Sequence, residues 1–131
     1  TIPHDKGLLG HSDADVLTHA IMDALLSSVA ERDIGYHFPD SDNNFKGISS
    51  LELLRLTKEI ILPYKVVNID ATVIAQAPKL NPHIPAMQET MAAVLGIDPD
   101  CLSIKATTTE KLGFEGRKEG ITAYATVLIE K

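Results

Sequence analysis

The stretch His11-Ser12-Asp13-Ala14-Asp15-Val16-Leu17-Thr18-His19 combines two histidines with two aspartates at the expected start of an amphipathic helix. Ser12 is a preferred N-cap residue type, and Asp15 three residues later resembles the acidic partner of a capping box. The pattern therefore predicts a helix from about Asp13 to Glu31. A helix N-terminus attracts negative charge, so His11 and Ser12 are candidates to donate to a phosphate oxygen. The simpler interpretation of Ser12 is a plain helix cap.

The predicted helix has an apolar side and a side that carries titratable groups. Asp15, His19 and Asp23 follow one another at i, i+4 steps, opposite the apolar residues. A histidine between two aspartates is a candidate metal ligand whose imidazole the carboxylates orient. The alternative is a solvated or hydrogen-bonded helix histidine, which is the common state of a single histidine. The sequence alone leaves both open. The apolar side consists of Val16, Leu17, Ala20, Ile21, Ala24 and Leu25.

Composition bounds the class of protein. The 131 residues suffice for one domain with a substantial core, which predicts a single domain over residues 1–131. Twelve basic and eighteen acidic residues give a formal net charge of −6. Nucleic acid is therefore a disfavoured partner, because its non-specific binding needs a basic surface. The single cysteine, Cys101, excludes an intrachain disulfide and a cysteine-rich zinc site.

The sequence also gives expectations about the cellular setting. No apolar run approaches the ~18–20 residues that a membrane-spanning helix needs, and we see no signal or transit segment. A reducing compartment is expected, either a bacterial cytoplasm or a plastid stroma. Because the chain begins at Thr1 without a methionine, we expect an upstream piece.

The remaining periodicities predict an α+β sandwich with helices on one face of a sheet. Ser49 or Ser50 is expected to cap a second helix that ends near Ile61, and a third helix is expected over residues 84–95. Alternating patterns predict strands over residues 67–75, 102–108 and 121–129. Residues 1–10 are expected to form a strand remnant and a turn. Several strand faces are only half polar, so we expect one to be buried against another subunit.

Three further segments carry candidate site residues. The long polar loop over residues 33–44 contains aspartates that could bind sugar hydroxyls or a cation, although loop aspartates are usually turn formers. Residues 75–79 leave a strand end, where Lys79 could meet an anion or could simply lie at the surface. Thr107 to Thr109 with Glu110 form a hard-oxygen set suited to Mg²⁺ or Mn²⁺ bound together with phosphates. Threonine is also a common strand residue, so the three hydroxyls alone do not distinguish a metal site from an ordinary strand.

Five motifs in register resemble the 2-C-methyl-D-erythritol 2,4-cyclodiphosphate synthase family of non-mevalonate isoprenoid biosynthesis. Each motif alone is modest, but the set covers essentially the whole chain. They are His11-Ser12-Asp13-Ala14-Asp15, Asp33-Ile34-Gly35 with His37-Phe38-Pro39, Ala75-Gln76-Ala77-Pro78-Lys79, Lys105 to Phe114, and Gly116-Arg117.

The resemblance implies a mixed sheet in a homotrimer with interfacial active sites, and a phosphorus–oxygen lyase. Its substrate would be 4-diphosphocytidyl-2-C-methyl-D-erythritol 2-phosphate, converted to the cyclic diphosphate with release of CMP. His11 and Thr108 match the pair that stabilises the transition state, and Asp33 with Gly35 matches ribose and erythritol contacts. The other implied substrate contacts are Ser12, Ile34, Phe38, Pro39, Asp40, Ser41, Asp42, Ala75, Gln76, Ala77, Pro78, Lys79, Leu80, Asn81, Thr107, Thr109, Glu110, Phe114 and Arg117.

The resemblance also implies two divalent ions. His19 matches a ligand of a zinc ion (or another divalent ion), and Glu110 matches the ligand of Mg²⁺ or Mn²⁺ that bridges the diphosphate. The family's other two zinc ligands, in an Asp-x-His motif on a first strand, are absent from this sequence. We therefore expect this chain to supply one of three zinc ligands.

Two other functions remain open on the sequence alone. A metal-dependent phosphohydrolase would use water in place of the 2-phosphate as the nucleophile. A nucleotide-binding or isoprenoid-binding trimer without activity would use the same pocket for binding only. Product analysis separates these from the cyclase.

Overall fold

A computed structural model describes residues 4–39, 41–45, 48–74, 81–107 and 121–131. These residues form an α+β arrangement. In chain order, the helices and strands are α1 (His4–Ser28), α2 (Ile34–His37), α3 (Ser50–Ile60), β1 (Lys65–Ile74), α4 (Ile84–Leu95), β2 (Leu102–Thr107) and β3 (Thr122–Glu130), with 3-10 turns at Asn43–Phe45, Asn81–His83 and Pro99–Cys101.

The three described strands form one mixed sheet in the order β2-β1-β3. Strand β1 runs parallel to β2, with Ala71 opposite Ile104, and antiparallel to β3, with Ala71 opposite Ala125. The parallel pair ends with Ile74 beside Thr107, so the chain leaves β1 and β2 at the same end of the sheet. The predicted mixed sheet is confirmed.

One face of the sheet packs against helices. Burial alternates along β1, where Ile69, Ala71 and Val73 are buried and Asp70 is exposed. This alternation follows from the two-residue period of a strand. Helix α1 contacts β1 and β3, α4 contacts β2, and α3 packs across α1 and α4. The core of the described residues therefore lies between the sheet and these three helices, as predicted.

Local sequence signals explain two of the helices. The Ser49 hydroxyl accepts a hydrogen bond from Glu52 N at 3.2 Å and caps α3, as expected. Helix α4 spans the residues predicted for it and ends at Gly96, whose φ of 69° is left-handed. No helix in the described part of the chain is both long and apolar enough to cross a membrane.

The predicted start of the first helix is wrong. Helix α1 begins at His4, so Ser12 lies inside the helix and is not its N-cap, and residues 4–10 are helical instead of a strand remnant and turn. The stretch from residue 4 to residue 38 contains no proline. Gly7 and Gly10 each cost about 1 kcal/mol relative to alanine in a helix but do not forbid it. The expected helix mouth beside His11 and Ser12 is therefore absent from the structure.

The end of α1 also differs from the prediction. The helix stops at Ser28, three residues before Glu31. Ala30 adopts a left-handed φ of 61°. Glu31 N donates to Leu26 O at 2.8 Å, and Ala30 N donates to Ser27 O at 3.0 Å. These two bonds form a Schellman motif, which satisfies carbonyl groups at the helix C-terminus.

Candidate active site

A cavity of about 920 Å³ opens beside α1, α2 and the start of α3. Its volume lies in the usual range for small-molecule sites of roughly 300–1,000 Å³. It brings together residues from separate stretches of sequence. The lining residues are Asp15, His19, Ile34, Gly35, Phe38, Pro39, Phe45, Ile48, Ser50 and Leu53.

His19 is the histidine of α1 that reaches this cavity. The two residues before it, Leu17 and Thr18, are buried in the core, whereas His19 is exposed. The helix therefore turns its apolar side to the sheet and presents the imidazole to the cavity. The arrangement agrees with the predicted opposition of the apolar and titratable sides.

The two aspartates that flank His19 each bind a different element. The Ser50 hydroxyl, at the start of α3, donates to Asp15 Oδ1 at 2.6 Å. The Ile34 backbone N–H, at the start of α2, donates to Asp23 Oδ1 at 2.9 Å. Both carboxylates thus connect α1 to segments that line the cavity.

A short helical turn forms the wall opposite α1. Asp33 caps α2 by accepting a hydrogen bond from Tyr36 N at 2.9 Å, and Phe38 N donates to Ile34 O at 2.7 Å. Part of the loop predicted over residues 33–44 is therefore helical. A Cβ atom on Gly35 would meet only Asp33 Oδ1, at 3.5 Å, which is ordinary contact. The fold of the described residues therefore does not require a glycine at this position.

The third wall is apolar, and Phe38 is the only one of its residues that was predicted from the sequence as a site residue. The rings of Phe38 and Phe45 meet edge to face with their centroids 5.2 Å apart. Ile48 and Leu53 complete this wall. An aromatic residue inside a loop rich in turn formers was the signal for Phe45. Leu53 fits the apolar side of the predicted second helix, and the sequence held no signal that it borders a cavity.

The other predicted site residues divide into two groups. Asp42 Oδ1 accepts from Asn44 N at 2.9 Å, so this carboxylate stabilises a turn, and neither Asp42 nor Ser41 lines the cavity. His11 and Ser12 lie on α1 about two turns before His19, Asn81 begins a 3-10 turn, and Thr107 ends β2. The predicted residues outside the described ranges are Asp40, Ala75, Gln76, Ala77, Pro78, Lys79, Leu80, Thr108, Thr109, Glu110, Phe114 and Arg117.

The described side chains do not make a complete metal site. No three histidine, cysteine, aspartate or glutamate side chains among the described residues meet closely enough to hold an ion. His19 is exposed and lines the cavity. A structural zinc site uses four protein ligands and a catalytic one usually uses three, so His19 can supply only part of such a set.

The fold and the cavity define an α+β protein with a small-molecule site between its first helix and two following segments. A family model described as the YgbB family matches residues 1–130. The chain therefore belongs to the YgbB family.

Named relatives support this assignment. A protein of Bacteroides thetaiotaomicron named 2-C-methyl-D-erythritol 2,4-cyclodiphosphate synthase is 65% identical over 99% of this chain and 83% of its own length. A protein of Clostridium botulinum with the same name is 61% identical over 99% of this chain and 85% of its own length.

Solved structures agree with the fold. The bifunctional IspDF of Campylobacter jejuni aligns with a TM-score of 0.82 and 42% identity over 87% of this chain. The chain spans 31% of that longer protein. IspF of Plasmodium falciparum, solved as a CDP complex, aligns with a TM-score of 0.76 and 33% identity over 87% of this chain and 69% of its own.

Proposed function

We propose that this chain acts as a 2-C-methyl-D-erythritol 2,4-cyclodiphosphate synthase, a phosphorus–oxygen lyase of non-mevalonate isoprenoid biosynthesis. One structural observation carries this proposal. His19, Ile34, Gly35, Phe38 and Pro39 come from two separate stretches of sequence and line one cavity. They belong to the set that the family resemblance identified as site residues.

The reaction is an intramolecular phosphoryl transfer. An oxygen of the substrate's 2-phosphate attacks the β-phosphorus of the diphosphate, and the bond from that phosphorus to CMP breaks. The attacking phosphate is already anionic near neutral pH, so no strong general base is needed. Catalysis then depends on orientation and on neutralising the charge that develops as CMP leaves.

The cavity walls suit orientation of the erythritol part of the substrate. Gly35 lines the cavity and can bring its backbone close to a substrate hydroxyl, while the Phe38 and Phe45 rings exclude water. Asp33 caps α2 and is not among the residues that line the cavity, so its contact with a substrate hydroxyl stays a prediction. We assign His11 and Thr108 to stabilisation of the transition state. The cytidine contacts are proposed for residues 75–81 and 107, supported by Ile74 and Thr107 ending neighbouring strands at one end of the sheet.

We propose that the lyase depends on two divalent ions. His19 would hold a zinc ion (or another divalent ion) with ligands that lie outside the described residues, and Glu110 would hold Mg²⁺ or Mn²⁺. Bound ions of this kind neutralise phosphate charge and polarise the phosphorus centre. This accounts for a chain of net charge −6 that acts on a highly anionic substrate.

We further propose that residues 1–131 form one domain that assembles into a homotrimer with interfacial active sites. The sheet face opposite the helices supports this assembly, because Tyr124 and Leu128 are 61% and 54% exposed on it. Exposed apolar side chains that share one sheet face are typical of a subunit contact. A cytoplasmic site, bacterial or plastid stromal, fits the pathway.

Product analysis tests the proposed activity. The enzyme is incubated with 4-diphosphocytidyl-2-C-methyl-D-erythritol 2-phosphate and Mg²⁺ or Mn²⁺, and the products are followed by ³¹P NMR. We expect the cyclic diphosphate and CMP in equal amounts. Linear phosphate products would identify a phosphohydrolase instead, and binding of CDP without turnover would identify a binding protein.

A further inference from the structure

Asp23 lies one helical turn after His19 on α1 but does not line the cavity. Its carboxylate forms no cap on its own helix, because it sits within α1, five residues before the end. Instead, Asp23 Oδ1 accepts a part-buried hydrogen bond from the backbone N–H of Ile34, eleven residues later. This bond joins the helix that carries His19 to the turn that forms the opposite wall.

Apart from this bond, α2 and the residues before it are held by local contacts: Ser27 Oγ donates to Arg32 O at 3.3 Å, His37 Nε2 lies 2.6 Å from Glu31 O, and Arg32 lies over the Tyr36 ring. None of the four residues of α2 is buried, although Ile34 packs at the edge of the core. The first N–H groups of any helix lack partners within the helix. In α2, carboxylates accept hydrogen bonds from two of these groups. Asp33 Oδ1 accepts from Tyr36 N within the turn, and Asp23 Oδ1, which lies on α1, accepts from Ile34 N.

The linker between α1 and this turn, residues 29–32, contains two residues in an unfavourable backbone conformation. Ala30 and Arg32 both have left-handed φ angles, of 61° and 67°. Residues with a Cβ atom adopt this region only at a cost. The Asp23 carboxylate supplies a bond to the turn from α1 in addition to the local contacts, and this bond helps to offset that cost.

We propose that Asp23 is a positioning residue for the reaction. Its carboxylate holds the Asp33–Gly35 turn at a set distance from His19, so that the turn is preformed when substrate enters. The inference rests on the proposed function, in which this turn contacts the substrate. Asp23 itself touches neither substrate nor metal.

The role requires a hydrogen-bond acceptor and not a negative charge. Asp23→Asn keeps a side-chain oxygen that can accept from Ile34 N, whereas Asp23→Ala removes it. Asp23→Leu fills the same space without an acceptor and replaces the alanine variant if that variant does not fold. Asp98→Ala is the matched control, because Asp98 Oδ1 also accepts a backbone N–H, from Asp100 at 2.9 Å, away from the cavity.

Two measurements on the active enzyme test the proposal. Loss of one ordinary hydrogen bond corresponds to a change of about threefold to tenfold in an equilibrium constant. We expect Asp23→Ala to raise KM about tenfold with kcat changed less than about threefold, and to speed hydrogen exchange at the Ile34 amide about tenfold. Asp23→Asn should resemble the wild type in both, and Asp98→Ala should change neither.

The outcomes separate this proposal from the proposed function. An unchanged KM and unchanged Ile34 exchange in Asp23→Ala would overturn the positioning role. Equal losses in Asp23→Asn and Asp23→Ala would also overturn it, since they would show that the charge matters. Absence of cyclase turnover in the wild type contradicts the proposed function and not the bond, because Ile34 exchange still reports whether Asp23 holds the turn.

Discussion

At the scale of single residues, His19 combines an exposed imidazole with a backbone position between buried core residues. Its side chain is therefore available to a ligand without being needed for packing. This separation of roles makes the metal assignment testable by substitution.

We predict that His19→Gln lowers the zinc content of the purified enzyme and reduces kcat/KM by about 100-fold or more, in the range for loss of a group that fixes a metal. The free energy of unfolding without metal should change by less than about 0.5 kcal/mol, as for other exposed positions. Elemental analysis and urea denaturation after chelation measure the two quantities. His83→Gln serves as the control, and a His19→Gln variant that retains the wild-type zinc content would contradict the assignment.

Gly35 offers a second test at this scale. A methyl group there makes only an ordinary contact with Asp33, and alanine is favoured over glycine in a helix by up to about 1 kcal/mol. Gly35→Ala should therefore be as stable as the wild type or slightly more stable. Because the methyl group takes space at the cavity wall, we expect KM to rise about tenfold, equivalent to ~1.4 kcal/mol of binding. Unchanged KM in steady-state kinetics would show that substrate does not approach this backbone.

At the scale of elements, α1 and α4 end in the same motif with different residues at the left-handed position. Ala30 stands at the end of α1 with φ 61°, and Gly96 at the end of α4 with φ 69°. Ile97 N donates to Ala92 O at 3.0 Å, the counterpart of the bond from Glu31 N to Leu26 O. The two helix ends form an internal comparison within one chain.

Reciprocal substitutions at these positions should have opposite effects. Ala30→Gly should stabilise the protein by up to about 1 kcal/mol, because the removal of a left-handed cost of ~1–2 kcal/mol outweighs the stability lost to the greater chain entropy of the unfolded state. Gly96→Ala should destabilise it by about 1 kcal/mol for the same reason. The Lys58 side chain, whose Nζ would lie 2.7 Å from the new Cβ, can move away. Urea denaturation measures both; a gain of stability in Gly96→Ala would contradict the explanation.

The elements also show which parts of the fold sequence patterns can predict. The alternation over residues 67–75 predicted β1 because a strand's two-residue period is a local property, and α4 followed from its period and Gly96. The predicted start of α1 was wrong because Ser12 can stand inside a helix as well as cap one, and the helix already runs through this position. The helical period placed Asp15 and Asp23 beside His19. Their partners, Ser50 and Ile34, depend on how distant segments pack, and so do the cavity contacts of Phe45 and Ile48.

At the scale of the whole molecule, the sheet has one face under helices and one face open. Asp70 and Lys105 pair on the open face at 2.9 Å, near the exposed Tyr124 and Leu128. An exposed ion pair contributes little to stability. This pair therefore adds little to the stability of a single chain, and we propose that another subunit covers the open face.

If the proposed trimer forms through this face, we predict that Tyr124→Lys combined with Leu128→Lys converts it to a monomer. Three charges brought together at each position around a threefold axis would oppose association. Sedimentation velocity gives the mass of the oligomer. If the active sites lie between subunits, activity should fall when the oligomer dissociates. Leu62→Lys is the matched control, because Leu62 is 63% exposed but lies outside the strands. A double variant that stays trimeric would place the subunit contact elsewhere.

The packing of α1 against β3 has a consequence for synthesis on the ribosome. Helix α1 is the first described element and β3 is the last, and they contact each other across the core. Such non-local contacts slow folding, and domains form as units during translation. The apolar side of α1 therefore emerges long before its partner strand is made. Leu17, Ile21 and Leu25 therefore stay uncovered by β3 until residues 122–130 have left the exit tunnel.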